Sequence, residues 1–253
     1  MAAPSFVVGA TGFVGRHLVG QLAARGRRTV AHVRPDSPQL ERWRARFAEQ
    51  GAETDATPWQ VEAMAARLRE LRPETIYLCI GTTQKRAKAD AAGGNPYERV
   101  DYGLTKLMVD AARQADASAD ASAGAAADRR GPRPRLVYLS SIGASAKARS
   151  EYLAWRGKAE DAVRDSGLPW MIAQPSFITE ASGAPDGARD DRRPVERASA
   201  VVGDCALAVL GLLGARKLRS RYRSTTPDVL ASALIRLAEA PEAGRVVSGD
   251  DLR

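Results

Sequence analysis

Gly9, Gly12 and Gly15 stand at three-residue intervals in Gly9-Ala10-Thr11-Gly12-Phe13-Val14-Gly15. An apolar run (Phe6, Val7, Val8) precedes them, and Val14, Leu18, Val19 and Leu22 follow at helical spacing. The order reads as strand, tight turn, helix. Glycines at this spacing let the backbone turn sharply and approach a pyrophosphate, while the free amides and positive dipole end of the next helix face the phosphates. The chemistry on offer is dinucleotide binding, with Thr11, Phe13 and Val14 lining the turn beside the glycines. Three glycines can also be plain turn punctuation; the placement directly between strand and helix favours the phosphate cradle.

Arg28 to Val33 reads as the second strand and leads into Arg34. An Asp or Glu there would accept hydrogen bonds from an adenosine ribose. Arginine cannot accept, but it pairs with a 2′-phosphate, and Arg16, just after the third glycine, reaches the same region. Two arginines and no acid point to NADP, with NAD less favoured; ordinary surface arginines in an arginine-rich chain are the alternative. Asp55-Ala56 closes a weak third strand (Ala52 to Asp55), where a carboxylate meets an adenine amino group. Ile80-Gly81-Thr82-Thr83 closes the next, where a small residue lets the backbone pass close to a cofactor. A turn aspartate and a glycine after a strand have structural explanations as well.

The elements that must position these residues alternate. A helix carries Leu40, Trp43 and Phe47 on one face, and another carries Val61, Met64, Ala65 and Leu68. Thr75 to Ile80 reads as a strand buried on both sides. Asp101 to Ala115 reads as helix, Arg135 to Leu139 as strand, Tyr152 to Ser166 as helix and Trp170 to Ala173 as a strand stopped by Pro175. Pro227 to Ala240 reads as a late helix with proline in its first turn, and Arg245 to Val247 as a last strand. Such alternation predicts an α/β fold: a Rossmann-type doubly wound parallel sheet with helices on both faces and a small C-terminal substrate-side portion. Residues 115–134, rich in Ala, Asp, Ser and Gly, read as a flexible insertion, and 181–226 as a substrate-side loop and helix region.

With 253 residues and 44% hydrophobic content, residues 1–253 can form one nucleotide-binding domain with a full core. The formal charge is +8, yet only six of the 38 basic residues are lysines and the arginines spread along the whole chain, so no nucleic-acid partner is expected. Arg216 to Arg223 is the densest basic run and reads as a solvated face. Cys79 and Cys205 are too few for a disulfide framework, and Cys79 reads as a small buried hydrophobe. The glycine turn starts too early to leave room for a secretory signal. Ala198 to Ala215 is short for a bilayer span and contains Asp204, so no transmembrane segment and a cytoplasmic location are expected, with no metal site. Docking of Ala206 to Gly214 on a membrane or a second subunit is a weaker reading than packing over the substrate side.

Leu139-Ser140-Ser141-Ile142-Gly143 ends a strand, and Tyr152 follows eleven residues after Ser141. With the glycine turn, this pattern resembles the short-chain dehydrogenase/reductase superfamily, and the glycine spacing resembles its extended and atypical branches. Cys79-Ile80-Gly81-Thr82-Thr83, Arg99-Val100-Asp101, Ser140 to Ala144, and Tyr152-Leu153 with Gly157 are similar to the atypical branch of Tat-interacting-protein-like oxidoreductase homologues. The resemblance runs from Gly9 to the helix at Pro227.

It implies that the Ser141 hydroxyl holds a substrate carbonyl and that Tyr152 is the general acid or base. A phenol of pKa about 10 needs a nearby cation to exchange a proton at neutral pH. The family's lysine is replaced by Arg156, one helical turn on, which can stabilise a phenolate or reach the nicotinamide ribose but does not pass a proton onward. Lys158 points to the other side of the helix. Asp101 stands where ordinary members carry Asn beside a proton-relay water; pairing with a neighbouring Arg is its structural alternative. Gln174-Pro175-Ser176-Phe177 looks like the turn beside the nicotinamide carboxamide, and Ser140 like a neighbour of the cofactor.

Three functions follow. The leading one is an NADP(H)-dependent oxidoreductase acting on an unidentified carbonyl or alcohol. The second is a non-catalytic NADPH-binding protein whose surface a protein partner reads, an oligomer included. The third, a nucleotide-sugar epimerase or dehydratase, fits less well, because those enzymes place Ser and Tyr farther apart and carry a longer C-terminal lobe.

Overall fold

A computed structural model describes residues 3–82, 94–123, 133–179 and 224–253. Seven strands form one sheet: β1 (Ser5–Val8), β2 (Thr29–His32), β3 (Glu53–Asp55), β4 (Thr75–Leu78), β5 (Arg135–Leu139), β6 (Trp170–Gln174) and β7 (Arg245–Ser248). Their order is β3-β2-β1-β4-β5-β6-β7, and every neighbouring pair is parallel. The chain winds outward from β1 to β3 and then crosses back to β4. That reversal opens the crevice between β1 and β4 where ligands bind in such sheets.

Helices cover both faces: α1 (Gly15–Ala24), α2 (Leu40–Glu49), α3 (Val61–Leu71), α4 (Thr105–Ala123), α5 (Glu151–Arg164) and α6 (Pro227–Glu239). Successive strand residues point to opposite faces, so the sheet builds two cores. Val7, Ala31, Tyr77, Val137 and Met171 pack with Leu18, Leu22, Phe47, Leu230 and Leu234 of α1, α2 and α6. Phe6, Val30, Ile76, Leu136 and Ile172 pack with Met64, Leu68, Met108, Ala112 and Val163 of α3, α4 and α5. At α6 the Thr226 side chain accepts from Val229 N and Pro227 occupies the first turn, the start that the sequence predicts.

The largest departures from the sequence reading lie at the two ends of one helix. The helix expected over Asp101 to Ala115 begins as a π-helical segment, Tyr97–Leu104, before α4. Helix α4 also runs on to Ala123, into the stretch 115–134 read as an insertion. Thr83, residues 124–132, and the expectations placed on 181–223, Cys205 included, lie outside the described residues. No described helix is long and apolar enough to cross a membrane.

Candidate functional site

The glycine turn is dictated by backbone packing. Gly9 has φ +78°, and a Cβ on it would lie 2.4 Å from the Cys79 carbonyl oxygen on the neighbouring strand end. A Cβ on Gly15 would lie 2.2 Å from Gly9 O, so α1 starts directly against the turn that Gly12 N closes by donating to Gly9 O (2.9 Å). No side chain caps α1 and no acid lies in its first turn. Arg16 N donates to Gly12 O (3.2 Å), and the positive end of the helix is left without a counter-charge of its own, which suits an external anion such as a pyrophosphate. The residues present fit a dinucleotide. Cys79, half-buried beside this turn, has its thiol pushed up to about 12 by burial, with Arg156 opposing, so it stays protonated and inert.

On the adenosine side the placements differ. Arg34 is exposed, its Nε 3.7 Å from Asp36. Arg16 lies over the Phe13 ring at 5.5 Å, its Nε enclosed and without a hydrogen bond among the described residues. Asp55 is buried and committed: Oδ2 accepts from Arg67 Nε at 2.6 Å and Oδ1 from Thr57 N at 3.0 Å. Its carboxylate thus fixes the turn that Ala56 belongs to, and any adenine contact must share an oxygen already in use.

His32 is buried behind that turn, with Nε2 2.8 Å from Thr57 O and Trp59 edge-on at 4.7 Å. A carbonyl only accepts, so Nε2 carries the proton. Burial pushes the imidazole below its usual 6.5, against the Thr57 bond and Asp55. A lowered folded pKa means that the unfolded chain binds the proton first, so stability is lost as pH falls below about 6.5. The urea midpoint should therefore fall between pH 7.5 and 5.5 by more in the native protein than in His32→Gln.

The second half of the site hangs on α5. Tyr152, Arg156 and Glu160 recur every four residues and share its inner face. Arg156 is buried, with Nε 3.0 Å from Asp101 Oδ1. Its Nη1 donates to Leu139 O at 2.6 Å and to the Tyr138 hydroxyl at 3.2 Å. Its Cζ lies 5.5 Å from the Tyr152 ring centre and 5.7 Å from that of Tyr138. Burial opposes the guanidinium charge, but Tyr138, Tyr152 and Asp101 outweigh it and raise its pKa, so Arg156 is a permanent cation.

Asp101, fully buried in the π-helical segment, also accepts from Thr82 N through Oδ2 at 3.1 Å, while its carbonyl accepts from Thr105 Oγ1 at 2.7 Å. Burial raises its pKa, with Arg156 and the Thr82 amide opposing. Of the two roles weighed for Asp101, pairing with an arginine is the one its geometry serves.

Gly81 acquires a reason that its sequence context does not supply. A Cβ there would lie 2.2 Å from Arg156 Nη2 and 3.4 Å from Asp101 Oδ1. Glycine at 81 makes room for the guanidinium. Lys158 points outward as expected, its Nζ 3.5 Å above the Trp155 ring.

Tyr152 is held between Arg156 and the Tyr97 ring, 5.4 Å away and edge-on. Among the described residues the Tyr152 and Ser141 hydroxyls make no hydrogen bond, so both are available to a ligand. Ser141 is half-buried, its carbonyl accepting from Ala144 N at 3.1 Å. Ser140 faces inward instead: its hydroxyl donates to Glu160 Oε1 at 2.5 Å, leaving only its backbone for a cofactor. Gln174 Nε2 donates to the same oxygen at 2.8 Å. Ile80 and Pro175 are buried, Ser176 is partly exposed, and Phe177 is 57% exposed.

Sequence reasoning missed Tyr138 and Glu160. The four-residue repeat from Tyr152 through Arg156 carries a readable signal for Glu160; nothing local marks Tyr138.

Comparison with known proteins adds three findings. A family model described as NAD(P)H-binding matches residues 9–216. Among curated relatives, Protein TIC 62, chloroplastic, of Arabidopsis thaliana is 28% identical over 71% of this chain. The chain spans only 28% of that protein's length. Ceramide reductase of Caulobacter vibrioides is 27% identical over 96% of this chain and 75% of its own. Among solved structures, the Bordetella bronchiseptica enzyme WbmH in complex with NAD+ superposes with TM-score 0.61 at 13% identity, covering 97% of this chain and 75% of that one, a likeness of fold.

Proposed function

The chain belongs to the NAD(P)H-binding family, and from that premise we propose an NADP(H)-dependent oxidoreductase of the atypical short-chain type, acting on a carbonyl or alcohol. One observation carries the reading: a buried, permanently charged guanidinium lies 5.5 Å from the ring centre of a tyrosine whose hydroxyl is uncommitted among the described residues. A cation there is placed to stabilise the negative charge that develops on the tyrosine oxygen as its proton passes to a substrate. The reductase relative, similar over most of both chains, supports the same reaction class.

In this reading the Gly9–Gly15 turn and the start of α1 hold the pyrophosphate, and Arg16 and Arg34 hold the 2′-phosphate. The bound nicotinamide supplies or accepts a hydride. Ser141 Oγ donates to the carbonyl oxygen of the substrate. Tyr152 gives its phenolic proton to that oxygen during reduction and takes one back during oxidation, and Arg156 stabilises the phenolate. Arg156 does not release a proton, and both Asp101 oxygens are engaged, so Tyr152 is reprotonated from solvent.

The test is NADPH consumption with a panel of aldehydes and ketones. Turnover with any of them supports the enzyme reading; tight NADPH binding without turnover leaves a non-catalytic NADPH-binding protein, the reading favoured by Arg156 being tied up with Asp101. Cofactor choice is read separately. NADPH should bind on the order of ten-fold tighter than NADH, and Arg34→Ala should narrow the gap by weakening NADPH alone. Equal affinities in a fluorescence titration would remove the NADP assignment.

A further inference from the structure

Glu160 ties the carboxyl ends of two strands together directly beneath the residues assigned to the nicotinamide half of the site. It is 1% exposed and lies one turn beyond Arg156 on the inner face of α5. Oε1 accepts from Ser140 Oγ (2.5 Å), just past the end of β5, and from Gln174 Nε2 (2.8 Å), the last residue of β6. Oε2 accepts from Arg164 Nη2 at 2.6 Å, which supplies the counter-charge. A buried carboxylate with three donors, one of them cationic, is satisfied; with any donor removed it is not.

The backbone continues this linkage upward. Ser140 N donates to Ala173 O at 2.8 Å and Ile142 N to Pro175 O at 2.9 Å, so the β5–β6 pairing extends past both strands on either side of Ser141. The Arg164 pair lies within α5 and links no strand. The bonds to Ser140 and Gln174 instead pass between two strand ends, and each lies one residue before a position of the candidate site, Ser141 and Pro175.

We propose that Glu160 is a positioning residue that sets Ser141 and Pro175 against the nicotinamide half of the bound nucleotide. The proposal rests on the nucleotide reading above. In Glu160→Gln one amide oxygen and one NH2 replace two acceptors. If the oxygen stays with the strand ends, the NH2 meets Arg164, a donor facing a donor. If the amide flips, the strand ends lose their acceptor. Either arrangement sets a donor against a donor while side-chain volume is kept: against Arg164 in the first, which strains the clamp, and at the strand ends in the second, which breaks it.

The measurement is a pair of titrations at one pH, NADPH by fluorescence and adenosine 2′,5′-bisphosphate by calorimetry, on native protein, Glu160→Gln and Ser140→Ala. The bisphosphate covers the adenosine half only. Both variants should weaken NADPH on the order of ten-fold and leave the bisphosphate within two-fold of native (roughly). Equal weakening of both ligands would mean general loosening of the fold and overturn the clamp, as would unchanged affinity for both. Ser140→Ala keeps the Arg164 pair, so it decides the matter if Glu160→Gln does not fold. Failure of the native protein to bind either nucleotide would instead overturn the nucleotide reading, and the clamp with it.

Discussion

Arg156→Met should destabilise the protein by roughly 3–5 kcal/mol at neutral pH, the cost of leaving one member of a buried ion pair alone. Asp101, with no exposure, would keep backbone amides, those of Thr82 and of Asp101 itself, but no cation among the described residues as a partner for its charge. Leu139 O and the Tyr138 hydroxyl would lose their donor as well. In a chain of this length such a loss lowers the melting temperature by on the order of 10 °C. Adding Asp101→Asn removes the stranded charge, keeps an oxygen for Thr82 N, and should restore most of the stability.

The pH dependence carries the sign. Burial already raises the Asp101 pKa above its unfolded 3.8, and removing Arg156 takes away the main opposing influence. A raised carboxyl pKa costs stability above the unfolded value, so the penalty in Arg156→Met should be largest at pH 7 and shrink toward pH 4, where the unpaired acid protonates. Urea unfolding of native, single and double variants at both pH values checks this. A double variant no more stable than Arg156→Met would show that the pair is not what Arg156 holds.

Tyr152→Phe should lower turnover by about 10²–10⁴-fold, the range a positioned proton donor contributes. Phenylalanine keeps the ring between Arg156 and Tyr97, and the lost hydroxyl has no protein hydrogen bond among the described residues, so melting temperature and NADPH affinity should stay near native. Loss of kcat with NADPH binding retained separates a chemical role from a structural one. Undiminished turnover in Tyr152→Phe would take the proton-transfer role away from Tyr152.

The features legible beforehand were those whose physics is local. The Gly9–Gly15 turn is read from spacing because turn, strand and helix are consecutive, and the structure adds only the atoms, Gly9 O and Cys79 O, that exclude a side chain. The alternation of apolar runs and stripes yields the parallel sheet for the same reason. The boundaries at Tyr97 and Ala123 escaped because π-helical winding and continuation of a helix into an alanine-rich stretch leave no periodic mark. From sequence Asp55 reads equally as an adenine contact or as a turn aspartate, because its partner Arg67 comes from α3, after the turn has closed.

By itself the sequence determined the strand, glycine turn and helix around Gly9–Gly15 and that Tyr152 and Arg156 share a helix face, since backbone geometry over three to seven residues settles both. Only the tertiary structure decided what those residues face. Arg156 meets Asp101 from a segment that precedes it by more than fifty positions, Gly81 yields space to a guanidinium rather than only to a ligand, and Glu160 gathers donors from two strands and its own helix. Buried charges and polar groups take their partners from whatever the packed sheet brings within about 3 Å, and that neighbourhood exists only once distant segments have folded together.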